Sequence, residues 1–106
     1  MIFSPHYKME TEKLYKIFKS KSKNKKYSVY VMKDGKKTLI HFGDKNYKHY
    51  RDTTPLKLYS NLDHNDKARQ KSYLARARGI KNKQGELTWK DKNSANYYAV
   101  KYLWNG

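Results

Sequence analysis

Two residues in the first half of the chain, Asp34 and Gly35, constrain its fold more than any other feature. They separate two runs rich in β-branched and aromatic residues, KYSVYVMK and KKTLIHF. Asp-Gly accepts the positive φ values of a type I′ turn, whose twist matches that of two antiparallel strands. The sequence therefore predicts a β-hairpin over 26–42. A two-residue loop places three cross-strand pairs on one face of this hairpin: Tyr27 with Phe42, Val29 with Ile40, and Val31 with Thr38.

The hairpin needs a covering layer, because an isolated hairpin is only marginally stable in water. The run KARQKSYLARARG follows the capping residues DHND and predicts a helix over 66–78 that ends at Gly79. The narrow apolar side of this helix carries Tyr73, Ala77 and Ile80. We expect the helix to pack against the hairpin.

Three other segments follow from shorter signals. Pro55 suits the first turn of a short helix over 53–62. A polar loop around Gly85 is expected over 81–92. In 93–104 the apolar residues recur at helical spacing, which favours a final helix, and a final strand is the alternative.

The chain before the hairpin divides into an apolar and a basic part. Leu14, Ile17 and Phe18 lie at helical spacing and predict a short amphipathic helix over 11–18. The basic run KSKSKNKK has no periodicity and predicts a linker or mobile arm over 19–26. The expected organisation is an N-terminal helix with a basic arm over 1–25, followed by a compact domain over 26–106.

The net charge restricts the partners that this protein can have. The 106 residues carry 25 Lys and Arg against 9 Asp and Glu, a formal net charge of +16. Such an excess repels itself and indicates a polyanionic partner, which is nucleic acid, an acidic protein surface or an anionic membrane surface. No run of apolar residues is long enough to span a bilayer. The chain contains no Cys, which excludes disulfides and Cys-based zinc sites.

Aromatic residues lie among the cations in KKYSVYV, YKHYR and RQKSYLARAR. Lys and Arg neutralise phosphates, and Tyr and Trp stack on unpaired bases, so this pattern favours a nucleic-acid-binding surface. The alternative is a solvated basic face over a core that includes Tyr73 and Trp104. The candidate polyanion-binding residues of the 66–78 helix are Arg69 and Arg76 on one flank of its apolar side and Lys67, Lys71 and Arg78 on the other. The basic arm adds Lys21, Lys23, Lys25 and Lys26.

Histidines and acids are concentrated in 41–66, which raises the question of an active site. A metal site needs three or four converging ligands, and the spacing here matches no recurrent metal motif. No phosphate-binding Gly-rich loop and no nucleophile elbow is present. We therefore predict no catalytic residue, no metal and no cofactor. A small nuclease is the weaker alternative, and it requires four side chains to converge: His41, Asp44, His49 and His64.

Three segments occur in an order that resembles a known family. They are HFGD (41–44), LDHND leading into KSYLARARGI (62–80), and SANYYAVKYLW (94–104). Over 26–104 the chain resembles a small uncharacterised basic domain family encoded by large nucleocytoplasmic double-stranded DNA viruses, with looser relatives in tailed phages. The resemblance implies a viral protein found in the virion, and in the host cytoplasm or nucleus during assembly. It transfers no catalytic residue.

Together these observations predict a small single α+β domain, in which a β-hairpin packs against two or three short helices and a basic N-terminal arm precedes it. The expected function is non-enzymatic: a minor capsid or core protein of the virion that contacts capsid proteins, other virion proteins or the genome. The alternative is a nucleic-acid-binding protein that acts in viral DNA replication, transcription or packaging. In either case the contacts to viral DNA would be non-specific and made to its phosphate backbone.

Overall fold

The computed structural model describes residues 13–106. They form a three-stranded antiparallel sheet followed by two helices, which confirms the expected α+β class. The strands are β1 (Phe18–Lys19), β2 (Lys25–Lys33) and β3 (Lys36–Asp44), in the order β1-β2-β3. The helices are α1 (Lys67–Ala77) and a C-terminal helix that is α-helical over Ala95–Tyr98 and π-helical over Ala99–Leu103. Single 3₁₀ turns occupy Ser60–Leu62 and Thr88–Lys90.

The hairpin of β2 and β3 has the register that the Asp-Gly turn predicts. Asp34 and Gly35 have φ values of 50° and 78°, as a type I′ turn requires. The pairing of Tyr27 with Phe42, Val29 with Ile40 and Val31 with Thr38 is confirmed. The β2 members of these three pairs are fully buried, so this face of the sheet forms the centre of the core.

The C-terminal helix lies between the sheet and α1. Tyr98 and Leu103 join the core on the sheet, while Val100 packs against Leu74 and Ala77 of α1. The prediction of a helix over 93–104 is therefore confirmed, and the alternative of a final strand is wrong. The expectation that the hairpin packs against the 66–78 helix is corrected, because the hairpin packs mainly against the C-terminal helix.

The N-terminal predictions are wrong where the structure describes them; residues 11 and 12 lie outside the described part. Instead of forming a helix, the segment pairs with β2: Leu14 forms a β-bridge with the backbone of Tyr30. The ring of Phe18 stacks on the ring of Tyr30, with centroids 5.7 Å apart. A helix this short is unstable alone. In the segment as it folds, Ile17 packs against the core and Phe18 packs on Tyr30, while Leu14 stays 38% exposed. The basic run is not a linker, because Lys25 and Lys26 begin β2 and 20–24 is a turn between strands. Whether the chain divides at residue 25 stays a prediction.

The expected helix over 53–62 is also wrong. Only the 3₁₀ turn at Ser60–Leu62 forms, and Lys57 has a φ of 50°, outside the helical region. Leu56 and Leu58 in this segment are exposed. The backbone of this segment is held by polar side chains instead, since the Thr54 hydroxyl accepts a hydrogen bond from the Lys57 amide.

Candidate nucleic-acid interface

The interior contains a set of polar side chains joined by hydrogen bonds, which we call the buried polar network. Its members are Lys26, Tyr27, His49, Asp52, Thr54 and Asp63. All except Asp63 are at most 4% exposed. Burying so many polar groups is unfavourable unless each finds partners, so their hydrogen bonds decide what the network can do.

One half of the network is a relay centred on His49. Its Nδ1 lies 2.8 Å from the Lys26 ammonium and its Nε2 lies 2.6 Å from Asp63 Oδ1. Because an ammonium can only donate, Nδ1 accepts and Nε2 donates to the carboxylate. Burial lowers the pKa of His49, and the charge of Lys26 lowers it further, so the imidazole is neutral. Burial also lowers the pKa of Lys26 to about 8, although Asp44, Asp52 and Asp63 oppose this.

The other half of the network is centred on Asp52. This carboxylate accepts hydrogen bonds from the Tyr27 hydroxyl at 2.5 Å, the Thr54 hydroxyl at 2.6 Å and the Tyr59 amide at 3.1 Å. Burial raises the pKa of Asp52, but the hydrogen bonds from Thr54, Tyr27 and the backbone outweigh it, and the pKa stays below its usual value. Burial, aided by Asp52, raises the pKa of Tyr27 to about 12. These bonds tie the 52–59 segment to β2 and make Asp52 a structural residue.

The four residues of the nuclease alternative do not all converge: Asp44 and His49 line a common cavity, which His41 and His64 do not line. His41 contacts the hydroxyls of Ser20 and Ser28, at 3.0 and 2.6 Å, while His49 belongs to the relay and His64 contacts the ring of Trp104. Within 13–106 no group of three or more His, Asp or Glu side chains is arranged to hold a metal ion. That the protein uses no metal, cofactor or catalytic residue stays a prediction.

Beside Lys26 the surface opens into a cavity of about 450 Å³. The end of the hairpin, the 47–49 segment, α1 and the C-terminal helix all contribute to its wall. Only a glycine at position 43 lets the end of the hairpin pack closely against Lys26 and Leu103. Its φ is +79°, and a Cβ there would lie 2.9 Å from Lys26 Cδ and 2.8 Å from Leu103 Cδ1. The polar and aromatic lining residues are Lys25, Lys26, Asp44, Tyr47, Lys48, His49, Tyr73, Arg76 and Trp104.

A second hollow of about 370 Å³ continues along α1 and is lined by Arg69 and Ser72 among others. The two hollows share Tyr73, Arg76 and Trp104, so they adjoin at these side chains, and we consider the two together as one depression. The rings of Tyr73 and Trp104 stack with centroids 4.0 Å apart and an interplanar angle of 5°. We call this depression the basic-aromatic groove; its cations are Lys25, Lys26, Lys48, Arg69 and Arg76.

Positive charge dominates the basic-aromatic groove. Asp44 is the one acidic residue among the described side chains that line it. Arg69 also has Asp66 at 3.7 Å, but both side chains are about half exposed, and such pairs are worth little. A lining of this composition attracts anions, and its aromatic wall offers contact to flat or apolar parts of a ligand.

The candidate polyanion-binding residues fall into two groups. Lys25, Lys26, Arg69 and Arg76 line the groove. Outside the groove, Lys67 and Lys71 are exposed on α1 and Arg78 is exposed at its C-cap. Lys21 and Lys23 are exposed in the turn between β1 and β2. Lys26 was expected on a mobile arm, but it is 1% exposed in β2, and this part of the prediction is wrong.

Sequence reasoning did not single out Lys48 or the wall formed by Tyr73 and Trp104. The signal for Lys48 was present, since it lies within the basic-aromatic run YKHYR. The wall depends on contact between residues 31 positions apart, which no local pattern reveals.

In the part of the chain from 13 to 106, no helix combines the length and the apolar character needed to cross a membrane.

Comparison with known proteins adds no relative: no family model matches the chain, and neither a curated protein nor a solved structure does. The resemblance to a viral family therefore depends on the sequence motifs alone, and the geometry of the groove is the main guide to function.

Proposed function

We propose that the protein is a small, non-enzymatic component of a DNA virus particle that contacts the genome through the basic-aromatic groove. The observation that carries this proposal is the convergence of five cations, from three parts of the chain, around the stacked pair of Tyr73 and Trp104. Cations neutralise the phosphate backbone, and aromatic side chains add contacts to bases that are unpaired.

A binding role without catalysis is supported by the state of the buried polar network. Two side chains that could serve as a general acid or base already have partners within the fold. His49 is hydrogen-bonded to Lys26 and Asp63. Asp52 accepts hydrogen bonds from the hydroxyls of Tyr27 and Thr54 and from the Tyr59 amide. The groove offers positive charge and an aromatic wall. Contacts of this kind position a backbone and carry no base information, so the proposed binding is insensitive to sequence.

Contact with capsid or other virion proteins is supported by a different surface. Met32 and Leu39 lie on the face of the hairpin opposite the core and are 37% and 40% exposed. Leu56 and Leu58, which do not line the groove, are exposed as well. Apolar and aromatic side chains of this size are the ones that protein interfaces bury. Genome binding on one surface and protein contact on another is the arrangement that a core or minor capsid protein needs.

The nucleic-acid part of the proposal is tested by the salt dependence of binding. Fluorescence anisotropy would follow a labelled single-stranded oligonucleotide at several salt concentrations, with wild type and two double variants. Arg69→Gln with Arg76→Gln removes two groove cations, and Lys67→Gln with Lys71→Gln removes two cations of the same helix outside the groove. We expect log affinity against log salt to flatten by about 1.4 for the groove variant, about 0.7 per lost phosphate contact. The control variant should keep the wild-type slope.

Equal losses in both double variants would show that net charge, and not the groove, determines binding. Binding that is indifferent to salt and to both double variants would contradict the nucleic-acid role.

Proteomics of purified particles separates a virion component from a protein of replication, transcription or packaging. A virion component is present at a fixed number of copies per particle. Tight nucleic-acid binding by a protein absent from purified particles would favour the alternative role in the infected cell.

A further inference from the structure

The position of Lys26 needs an explanation that the fold alone does not supply. Lys26 lines the cavity although the residue is only 1% exposed, and burying a charge is costly. The Nζ has two acceptors, the carbonyl of Tyr47 and Nδ1 of His49, both at 2.8 Å. An ammonium has three hydrogens to donate, so Lys26 retains the capacity for one more bond.

Other cations line the same cavity. Arg76 extends from α1, Lys48 from the segment after β3, and Lys25 from β2 next to Lys26. One acid, Asp44, is among the described lining residues, and one of its carboxylate oxygens accepts a hydrogen bond from the Asn46 amide at 2.8 Å. Four cations and one acid around a cavity of about 450 Å³ make a site for a compact, multiply charged anion.

The aromatic side of the cavity narrows the class of ligand. Tyr73 and Trp104 line both the cavity and the adjoining hollow, so a ligand held at Lys26 would extend along their rings. An anion attached to a flat or apolar body fits this arrangement better than an inorganic anion alone. A nucleotide has both parts, a phosphate for the cations and a nucleoside for the rings.

We propose that this cavity is a phosphate-binding site that holds one phosphate group of a nucleotide between Lys26, Arg76 and Lys48, with the nucleoside against Tyr73 and Trp104. The inference rests on the proposed function and deepens it. It distinguishes one phosphate, bound in a defined place, from the remaining phosphates of a strand, which meet exposed cations along the groove.

Isothermal titration calorimetry with small probes tests the site. The probes are thymidine 5′-monophosphate, inorganic phosphate and thymidine. We expect the monophosphate to bind with one site per chain, inorganic phosphate to compete with it more weakly, and thymidine to give no measurable heat. Arg76→Gln should lower the affinity for the monophosphate by about tenfold, because one charge-assisted contact is lost. Lys48→Gln should lower this affinity less.

The matched control is Lys71→Gln, an exposed lysine of α1 outside the groove, which should leave monophosphate affinity within about twofold of wild type. An equal loss from Arg76→Gln and Lys71→Gln would overturn the site, because the attraction would then be general. Thymidine binding as tightly as the monophosphate would overturn it too.

Oligonucleotides distinguish this inference from the proposed function and identify the source of the phosphate. If a strand binds with its salt-dependent slope but neither small phosphate probe binds, the site is overturned and the proposed function stands. If the monophosphate binds through Arg76 but oligonucleotides do not bind, the phosphate-binding site is supported and the proposed binding of the genome is contradicted. A 5′-phosphorylated strand that binds more tightly than its 5′-hydroxyl counterpart assigns the site to a strand end, and equal affinities assign it to an internal phosphate.

Discussion

The buried polar network and the basic-aromatic groove share Lys26 and His49, yet they use polar side chains in opposite ways. In the network, the two carboxylates and the one imidazole have partners from the chain, such as Asp52 with the hydroxyls of Tyr27 and Thr54. In the groove, cations surround an aromatic pair with one acid among them. His49 and Asp52 are therefore hydrogen-bonded within the fold, and we propose that the cations of the groove bind a partner.

This contrast predicts that stability and binding separate by region. Substitutions in the network should unfold the protein or weaken its fold, because buried polar groups lose partners that water cannot replace. Substitutions at exposed groove cations should weaken binding and leave the fold intact. Lys26 belongs to both regions and should affect both properties.

The largest expected effect is the loss of the Asp52 carboxylate. Asp52→Ala leaves the Tyr27 hydroxyl, the Thr54 hydroxyl and the Tyr59 amide without their acceptor. We expect the free energy of unfolding to fall by about 3–5 kcal/mol, measured by urea denaturation. The matched control is Asp34→Asn in the exposed hairpin turn, where Asn tolerates the positive φ, and its effect should stay within about 0.5 kcal/mol. Similar losses from both variants would remove the distinction between the network and ordinary surface acids.

The next effect concerns Lys26 and pH. Its pKa is lowered from 10.5 to about 8 in the folded protein, so between these values the unfolded chain holds a proton that the folded chain lacks. Stability therefore rises with pH across this window. From pH 7.5 to 9.5 we expect the free energy of unfolding of wild type to gain about 2 kcal/mol relative to Lys26→Met, measured by urea denaturation. Parallel curves for the two proteins would show that the Lys26 ammonium is not desolvated.

The rise of stability with pH is expected to end near pH 10, because buried tyrosines then act in the opposite direction. Burial raises the pKa of Tyr27 and of Tyr98 to about 12, above the ordinary value of 10.0. Above pH 10 the unfolded chain loses these protons while the folded chain keeps them, so stability falls again. Measurements below pH 9.5 therefore isolate the contribution of Lys26.

The smallest expected effect comes from the turn between β1 and β2. Lys21 and Lys23 are exposed there and do not line the groove. Replacing both by Gln should lower affinity for a single-stranded oligonucleotide by no more than about threefold at 0.15 M salt, where charges a Debye length away are largely screened. Fluorescence anisotropy gives the comparison with Arg69→Gln and Arg76→Gln. If the turn variant lost more affinity than the groove variant, the binding surface would lie at the edge of the sheet and not in the groove.

Local patterns in the sequence were sufficient for the hairpin and α1. The strand register follows from alternation around Asp34-Gly35, and α1 begins at its predicted cap, where the Asp66 carboxylate accepts hydrogen bonds from two backbone amides. The N-terminal segment was mispredicted because helical spacing of three apolar residues competes with pairing to Tyr30, which lies far along the chain. Tertiary contacts override so short a helical signal.

The groove was only partly predictable. Arg69 and Arg76 were placed on one flank of α1 by helical periodicity, and both line the groove. The position of Lys26 depends on His49 and Tyr47, more than 20 residues away, so no local rule separates it from the other lysines of its run. The burial of Lys26 results from these long-range contacts and cannot be read from the basic residues next to it in the sequence.

The central claim, that nucleic acid occupies the basic-aromatic groove, is tested most directly by the fluorescence of Trp104. The chain has two tryptophans, and Trp89 lies outside the groove. In Trp89→Phe the emission reports Trp104 alone, and in Trp104→Phe it reports Trp89 alone. Titration with single-stranded oligonucleotide should change the emission of Trp104 strongly and that of Trp89 little. A signal confined to Trp89, or binding that leaves the emission of Trp104 unchanged, would contradict the account.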